Sequence, residues 1–128
     1  MKILVIGGGG REHALAWKLA QSPRVSKVCV APGNSGTARE DGLQNVALDG
    51  NQQVIDFIKK NDIALTVVGP EAPLAAGLVD AVRAAGQRIF GPTQKAAQLE
   101  SSKDFAKSFM ARHGIPTAGY ATFTDAAA

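Results

Sequence analysis

With 128 residues, 45% of them hydrophobic and 20% charged, the chain has the size and composition of a single globular domain. Its 14 basic and 11 acidic residues give a net charge of +3 without a long run of like charges, and 5% aromatic residues are too few for base stacking, so a nucleic-acid-binding protein is not expected. One cysteine excludes an internal disulfide, and the opening apolar run stops at Gly7, which is too soon for a signal peptide or a membrane span; a cytoplasmic protein is predicted.

The amino-terminal half alternates short aliphatic runs with helix-forming segments. Ile3 to Ile6 is a continuous aliphatic run in front of four glycines, which is typical of a strand buried on both faces of a parallel sheet. Ser22 and Pro23 stop the helical segment that follows this turn. The predicted elements are strands at 3–6, 25–30 and 46–48, a helix at 11–21 and a loop at 35–42.

The second half continues the alternation and then changes character. Val54, Phe57 and Ile58 recur at helical spacing behind a capping Asn51, and Gly86 marks the end of the next helical segment. The predicted elements are helices at 52–60, 72–85, 94–99 and 103–113, strands at 63–68 and 88–90, and an extended segment at 115–123. Residues 125–128 add no closing element, so a fragment of a longer protein is expected.

Strands alternating with helices predict βαβ units and the α/β fold class: an open parallel sheet, wound right-handed, with helices on both faces. Four turns that contain Gly or Pro each follow a strand directly. The carboxyl ends of parallel strands share one edge of the sheet, where open α/β sheets bind their ligands. The turns at 7–11, 32–37, 69–73 and 91–93 therefore predict a site on that edge.

The first turn indicates a phosphate or a phosphosugar. Its glycines expose backbone amides at the positive end of a helix, and Arg11 adds a planar fork suited to phosphate oxygens. A dinucleotide is disfavoured, because Glu12 or His13 stands where the G-x-G-x-x-G fingerprint needs its third glycine and no acidic residue ends the second strand. A P-loop is excluded, since no Lys-Ser or Lys-Thr pair follows the glycines.

The other polar residues near the turns leave alternatives open. Residues 32–37 either offer amides and hydroxyls to a sugar phosphate or form a polar surface loop. Glu71, at a helix start, either binds ribose hydroxyls or an amine, or only complements the helix dipole. His13 and His113 are expected to be structural. Neither a metal site nor a catalytic residue is predicted, because no metal-ligand spacing and no nucleophile–base pair is present.

Six segments, in order and at suitable spacing, resemble the signatures of the glycinamide ribonucleotide synthetases. They are 2–14 (KILVIGGGGREHA), 31–34 (APGN), 68–74 (VGPEAPL), 90–93 (FGPT), 97–103 (AQLESSK) and 115–118 (IPTA). A glycine-rich turn alone is a weak signal, whereas an ordered set along the whole chain is specific.

The resemblance implies an activity and a domain organisation. The family belongs to the ATP-grasp superfamily and serves de novo purine biosynthesis: its ligases join 5-phosphoribosylamine to glycine through an acyl phosphate, using ATP with Mg²⁺ or Mn²⁺. By this resemblance, residues 1–101 form a Rossmann-like N-terminal domain of the kind that precedes an ATP-grasp domain. Residues 102–128 would be the truncated start of the ATP-grasp domain.

The same resemblance implies that residues of three turns face the phosphoribosyl substrate and that Lys103 reaches the nucleotide. The substrate-binding positions are Gly8, Gly9, Gly10, Arg11, Glu12, Pro32, Gly33, Asn34, Gly69, Pro70 and Glu71. Family members are several times longer, so ATP, metal and glycine are expected to bind mostly on the absent domains. This chain alone is expected to be a monomer without a cofactor, to bind the phosphosugar weakly and to show no ligase turnover; its partners are the phosphosugar and those domains.

Two other classes remain as alternatives. One is a nucleotide-dependent oxidoreductase domain, which saturable binding of NAD(H) would favour. The other is a non-catalytic interaction module that docks to the remaining domains as a separate chain.

Overall fold

The computed structural model describes residues 1–125, and across them five strands alternate with six α-helices. The strands are β1 (Lys2–Gly7), β2 (Lys27–Pro32), β3 (Leu43–Asn45), β4 (Ile63–Val68) and β5 (Ile89–Phe90). The helices are α1 (Gly10–Ala20), α2 (Gly50–Asn61), α3 (Glu71–Ala75), α4 (Leu78–Ala84), α5 (Gln94–Ser101) and α6 (Lys103–Arg112). No helix of this part of the chain is long and apolar enough to cross a membrane.

The strands form one parallel sheet in the order β3-β2-β1-β4-β5. β1 lies at its centre, and its aliphatic residues are buried on both faces of the sheet, as the continuous run predicts. The α/β class and the parallel sheet are therefore confirmed. All the turns that follow strands lie at the carboxyl edge of this sheet.

Helices cover both faces of the sheet, as predicted. On one face α1 buries Ala16 against Val5 and Val30. On the other face α2 and α4 bury Ile58 and Val82 in a larger core. The alternation of side chains along each strand feeds both cores, because successive residues point to opposite faces.

Cys29, in the middle of β2, lies in the larger core. Burial raises the pKa of its thiol, since an apolar environment disfavours the charged form. The thiol is therefore packed within the core.

The predicted third strand at 46–48 is wrong by its position: β3 is Leu43–Asn45 instead. β3 pairs with β2, with Leu43 opposite Val28 and Asn45 opposite Val30. Val46 and Leu48 lie beyond the strand and pack against the larger core. These residues are apolar because they are buried, not because they pair in a strand. A short apolar run by itself does not distinguish a strand from another buried segment.

The single helix predicted at 72–85 is broken into α3 and α4. The break lies at Gly77, whose φ of 77° is left-handed and incompatible with a continuous helix. α2 also starts earlier than predicted: Asp49 takes the N-cap position rather than Asn51. The loop predicted at 35–42 is confirmed apart from a single 3-10 turn at Thr37–Arg39.

The two predicted carboxy-terminal helices are confirmed as α5 and α6. Thr93 and Ser102 cap them, each through a side-chain oxygen that accepts a backbone amide. α6 has no buried residue and packs on α5, whereas residues 115–123 form neither helix nor strand. Of residues 125–128, for which no closing element is expected, 126–128 lie outside the described residues.

Candidate functional site

The first turn joins β1 to α1 and is held against the second turn. The Gly33 amide donates to the carbonyl of Gly7 at 3.2 Å, and a Cβ at Gly8 would lie 2.7 Å from the Gly33 carbonyl oxygen. Only glycine at position 8 allows this approach of two backbones. The two turns therefore form one continuous surface.

A buried carboxylate lies inside the first turn. Glu12 is 4% exposed; its Oε2 accepts the Gly9 amide at 2.8 Å and its Oε1 accepts Arg11 Nε at 2.9 Å. The same side chain fills the space that a Cβ at Gly7 or Gly69 would need. Glu12 thus connects the first turn to the third one, after β4.

Charge and burial act in opposite directions on Glu12. Burial raises the pKa of its carboxyl group, but the hydrogen bonds from Arg11 and from the Gly9 amide outweigh it and hold the pKa below its usual range. Glu12 is therefore an anion that compensates Arg11. The pKa of Arg11 is raised, first by its hydrogen bond to Glu12 and also by the charges of Glu100 and Glu71.

Arg11 remains accessible although it is anchored. Its side chain is 59% exposed, and among the described residues only its Nε has a hydrogen-bond partner, which leaves the Nη atoms free. The amides of Gly10 and Arg11 belong to the first turn of α1, where no intrahelical acceptor exists, and none of the hydrogen bonds within residues 1–125 engages them. Free amides and a guanidinium at a helix start can bind an anion.

The second turn is held by an amide network around Asn34. Its Oδ1 accepts the amides of Gly36 (2.7 Å) and Thr37 (3.0 Å), while its Nδ2 donates to the Gly8 carbonyl at 2.9 Å. Asn45, at the end of β3, donates from Nδ2 to the Asn34 carbonyl at 2.8 Å and accepts the Thr37 hydroxyl at 2.7 Å. Asn34 therefore links the second turn to the first.

Sequence reasoning did not single out Asn45 or the role of the fully buried Thr37. The available signal was weak: Asn45 is a polar residue that ends a strand. Nothing local shows that its partner would be Asn34, because the contact depends on the pairing of β3 with β2.

A cleft of about 500 Å³ opens beside these turns, between the strand ends and the helices α2 and α3. Gly8, Pro32 and Pro70 line it, together with apolar residues such as Leu48 and Val54. The other predicted substrate positions do not line this cleft; they are Gly9, Gly10, Arg11, Glu12, Gly33, Asn34, Gly69 and Glu71. The cleft floor is apolar, whereas the charged groups stand outside it.

The fourth turn does not line the cleft. Gly91 packs against Leu74 and Val79, and its carbonyl accepts Arg83 Nη2 at 3.1 Å. Thr93 begins α5. Three of the four predicted turns are thus brought together, while the fourth packs against α3 and α4.

Glu71 and Lys103 are exposed residues at helix starts. Glu71 is the first residue of α3, and its charge acts on Arg11. Lys103 is the first residue of α6 and does not line the cleft. Lys103 is therefore the one predicted position that lies outside the turns, and it does not line the cleft.

His13 connects α1 to the segment after β2. Its Nε2 lies 3.3 Å from Glu40 Oε1, and its ring packs against Gly36. The His113 ring lies against Phe109, with 4.4 Å between the centroids. Both contacts fit structural roles. Within residues 1–125 no group of His, Cys, Asp and Glu side chains is arranged to hold a metal ion.

Comparison with known proteins places this geometry in a family. Residues 1–100 match the family described as Phosphoribosylglycinamide synthetase, N domain. The chain is 70% identical over 126 residues to the phosphoribosylamine–glycine ligase of Neisseria meningitidis serogroup B, covering 98% of this chain and 30% of the relative. It is 65% identical over 127 residues to that of Ralstonia nicotianae, covering 99% and 30%. The chain thus spans about a third of the length of these curated relatives.

Solved structures share the fold at low identity. N5-carboxyaminoimidazole ribonucleotide synthetase from Thermotoga maritima superposes with a TM-score of 0.67 at 21% identity, over 97% of this chain and 34% of that one. A structure described as glycinamide-RNase-transformylase T, from Mycobacterium tuberculosis, gives 0.62 at 18% identity, over 93% and 37%. At such identities the likeness concerns the fold alone.

Proposed function

The chain belongs to the phosphoribosylglycinamide synthetase family, through its N domain, and from this premise we propose that it is the phosphosugar-binding part of an ATP-dependent ligase that joins 5-phosphoribosylamine to glycine. The observation that carries the proposal is the anchored guanidinium of Arg11 beside the free amides of Gly10 and Arg11. A phosphate group placed there would accept both amides and the Nη atoms.

The sugar is proposed to extend from this phosphate towards the cleft. Gly8, Pro32 and Pro70, which line the cleft, would border the ribose. Glu71, whose charge reaches Arg11, is placed to accept hydrogen bonds from ribose hydroxyls or from the amine. The phosphate end would then be fixed while the amine faces the reacting partner, which is how positioning lowers the barrier of a two-substrate reaction.

The neighbouring turn positions would support this site mainly through the backbone. Gly33 and Gly69 allow the turns to approach one another, and Asn34 fixes the second turn by the hydrogen bonds described above. With its Oδ1 already engaged twice, Asn34 has its second Nδ2 hydrogen left to offer a ligand.

ATP and its metal are proposed for the whole ligase rather than for these residues. ATP would supply the phosphoryl group that activates glycine, and Lys103 would approach the nucleotide from the start of an ATP-grasp domain at residue 102. The residues of the first three turns are assigned the binding and orientation of the phosphosugar, and Lys103 alone is assigned to the nucleotide. A cytoplasmic location and a monomeric state belong to the same proposal.

A chimeric ligase tests the proposed function. In it this chain replaces the matching amino-terminal third of the Neisseria meningitidis ligase, to which it is 70% identical. The chimera is expected to form glycinamide ribonucleotide from phosphoribosylamine, glycine and ATP, whereas this chain alone is expected to form none. A folded chimera that binds ATP and glycine but forms no product would contradict the proposal.

Replacing Arg11 tests the phosphate site within that chimera. Arg11→Ala removes the guanidinium and is expected to raise the KM for phosphoribosylamine about tenfold or more, because charge-assisted hydrogen bonds each contribute about 1.5–3 kcal/mol. The KM values for ATP and glycine should stay the same. Lys18→Ala, which removes an exposed cation near the other end of α1, is the matched control. An unchanged KM for phosphoribosylamine in Arg11→Ala counts against the site.

A further inference from the structure

Glu12 lies at the centre of the proposed phosphate site but is not available to a ligand. It is 4% exposed, and each of its carboxylate oxygens already accepts a hydrogen bond, one from the Gly9 amide and one from Arg11 Nε. We propose that Glu12 is a positioning residue, which orients the Arg11 fork and the glycine turn towards the phosphate without contacting the substrate. This inference rests on the proposed function.

The hydrogen-bond donors around Glu12 fall into two groups, those that already donate to its carboxylate and those that remain available to a ligand. Glu12 accepts the Gly9 amide, while the amides of Gly10 and Arg11 have no hydrogen-bond partner within residues 1–125. It takes Nε of Arg11 and leaves both Nη atoms, so the guanidinium plane is fixed by one edge and its other edge is open. An arginine held in this way loses less conformational entropy when it binds a phosphate.

The packing around Glu12 makes this arrangement rigid. The Glu12 side chain fills the space beside Gly7 and Gly69, so it is fixed between the ends of β1 and β4. It also accepts the backbone amide of Gly9, the N-cap of α1, which is the glutamate half of a capping box. Because the Glu12 carboxylate is fixed on both sides, it cannot move together with Arg11. Its hydrogen bond to Arg11 Nε therefore determines the orientation of the guanidinium.

Two effects of the Glu12 charge oppose each other, and a substitution separates them. As an anion near a bound phosphate, Glu12 would weaken binding by repulsion. As the acceptor of Arg11 Nε, it would strengthen binding by orientation. Glu12→Gln keeps the size of the side chain and can still accept the Gly9 amide through Oε1, but it then turns an NH₂ group towards Arg11 Nε, which is also a donor.

The test is a titration of the 128-residue chain with ribose 5-phosphate, followed by NMR of the backbone amides and the arginine Nε–H groups. Four proteins are compared: wild type, Glu12→Gln, Arg11→Ala and the double variant. Glu12→Gln is expected to weaken binding by about two- to tenfold, the range of one net hydrogen bond. In the Arg11→Ala background the same change should have no further effect, because Glu12 acts through Arg11.

Glu100→Gln is the matched control. Glu100 also acts on Arg11 by its charge, although it forms no hydrogen bond with it. Removing this charge should leave binding unchanged or slightly tighter. If Glu12→Gln likewise tightens binding, repulsion dominates and the positioning role is refuted; the same conclusion follows if its effect adds fully to that of Arg11→Ala.

The wild-type chain provides a measurement that does not depend on how a variant folds. The Arg11 Nε–H signal is expected to be slow in solvent exchange and to remain so at saturating ribose 5-phosphate, because the bond to Glu12 persists. Loss of this protection on binding would overturn the inference while leaving the phosphate site in place. Absence of any binding by the wild type, or unchanged binding in Arg11→Ala, would instead contradict the proposed function itself.

Discussion

At the scale of single residues, buried polar groups show how the site is held. Glu12 and Thr37 are both buried, and each is satisfied by several hydrogen bonds within the turns. Thr66, in the middle of β4, is also buried, but its hydroxyl has no hydrogen-bond partner among residues 1–125. The buried polar side chains of the turns, Glu12 and Thr37, are thus paired, which favours a rigid site, since an unpaired buried group costs free energy.

The buried charge of Glu12 predicts how stability depends on pH. A carboxyl group whose pKa is lower in the folded than in the unfolded chain contributes stability above its unfolded pKa, near pH 4.3 for glutamate, and loses it as the pH falls through the folded pKa. Wild type should therefore be more stable than Glu12→Gln above about pH 5, and the difference should shrink as the pH falls below the unfolded pKa of about 4.3. Urea unfolding at several pH values measures it; a difference independent of pH would mean that packing alone matters.

At the scale of elements, the turns and breaks depend on particular glycines. Gly8 lets the first turn approach Gly33, and Gly77, with its left-handed φ, separates α3 from α4. Gly10 differs from both, because it lies in the first turn of α1 with open space where a Cβ would be. Neighbouring glycines of one turn therefore have different structural requirements.

Alanine substitutions at Gly8 and Gly10 test this difference with a matched pair. Gly8→Ala places a Cβ against the Gly33 carbonyl, which belongs to the backbone and cannot rotate away, so a loss of about 1–3 kcal/mol in unfolding free energy is expected. Gly10→Ala should be neutral or stabilise by about 0.4–1 kcal/mol, because alanine restricts the unfolded chain. Chemical denaturation of both variants decides; equal losses would show that the turn tolerates no side chain at either position.

At the scale of the whole molecule, the two faces of the sheet are covered unequally. α1 packs on β1, β2 and β3, while the same face of β4 and β5 has less cover. The register continues a row of side chains from Val5 through Val67 to Phe90, and Phe90, at its end, is 70% exposed. The stabilising apolar burial is therefore concentrated around β1 and on the face beneath α2 and α4.

This distribution predicts the effects of two truncations of large side chains. Leu4 is fully buried, so Leu4→Ala should lower the unfolding free energy by about 2–5 kcal/mol through lost burial and a residual cavity. Phe90→Ala removes more atoms from a mostly exposed position and should cost less than about 1 kcal/mol. Urea titration of the isolated chain measures both, and a large loss in Phe90→Ala would show that its ring is covered in solution.

Local sequence was sufficient for most elements and for the position of the site edge. The run from Ile3 to Ile6 and the match of β4 with its predicted range follow from mostly aliphatic residues that end at a glycine, a pattern that needs no information from distant parts of the chain. The carboxyl edge followed from the parallel alternation. The family followed from six ordered segments, of which the first contains the glycine turn and Arg11.

Tertiary structure alone decided which residues of the turns meet. The contacts of Glu12 with Gly69, of Asn34 with Gly8 and of Asn45 with Asn34 join residues far apart in the chain, and they depend on strand order and register. The same holds for the shift of β3 and for the exclusion of the fourth turn from the cleft. Local sequence patterns indicate which residues are buried and which form turns, because these properties depend mainly on neighbouring residues. Which side chains form hydrogen bonds between turns depends on the order and register of the strands.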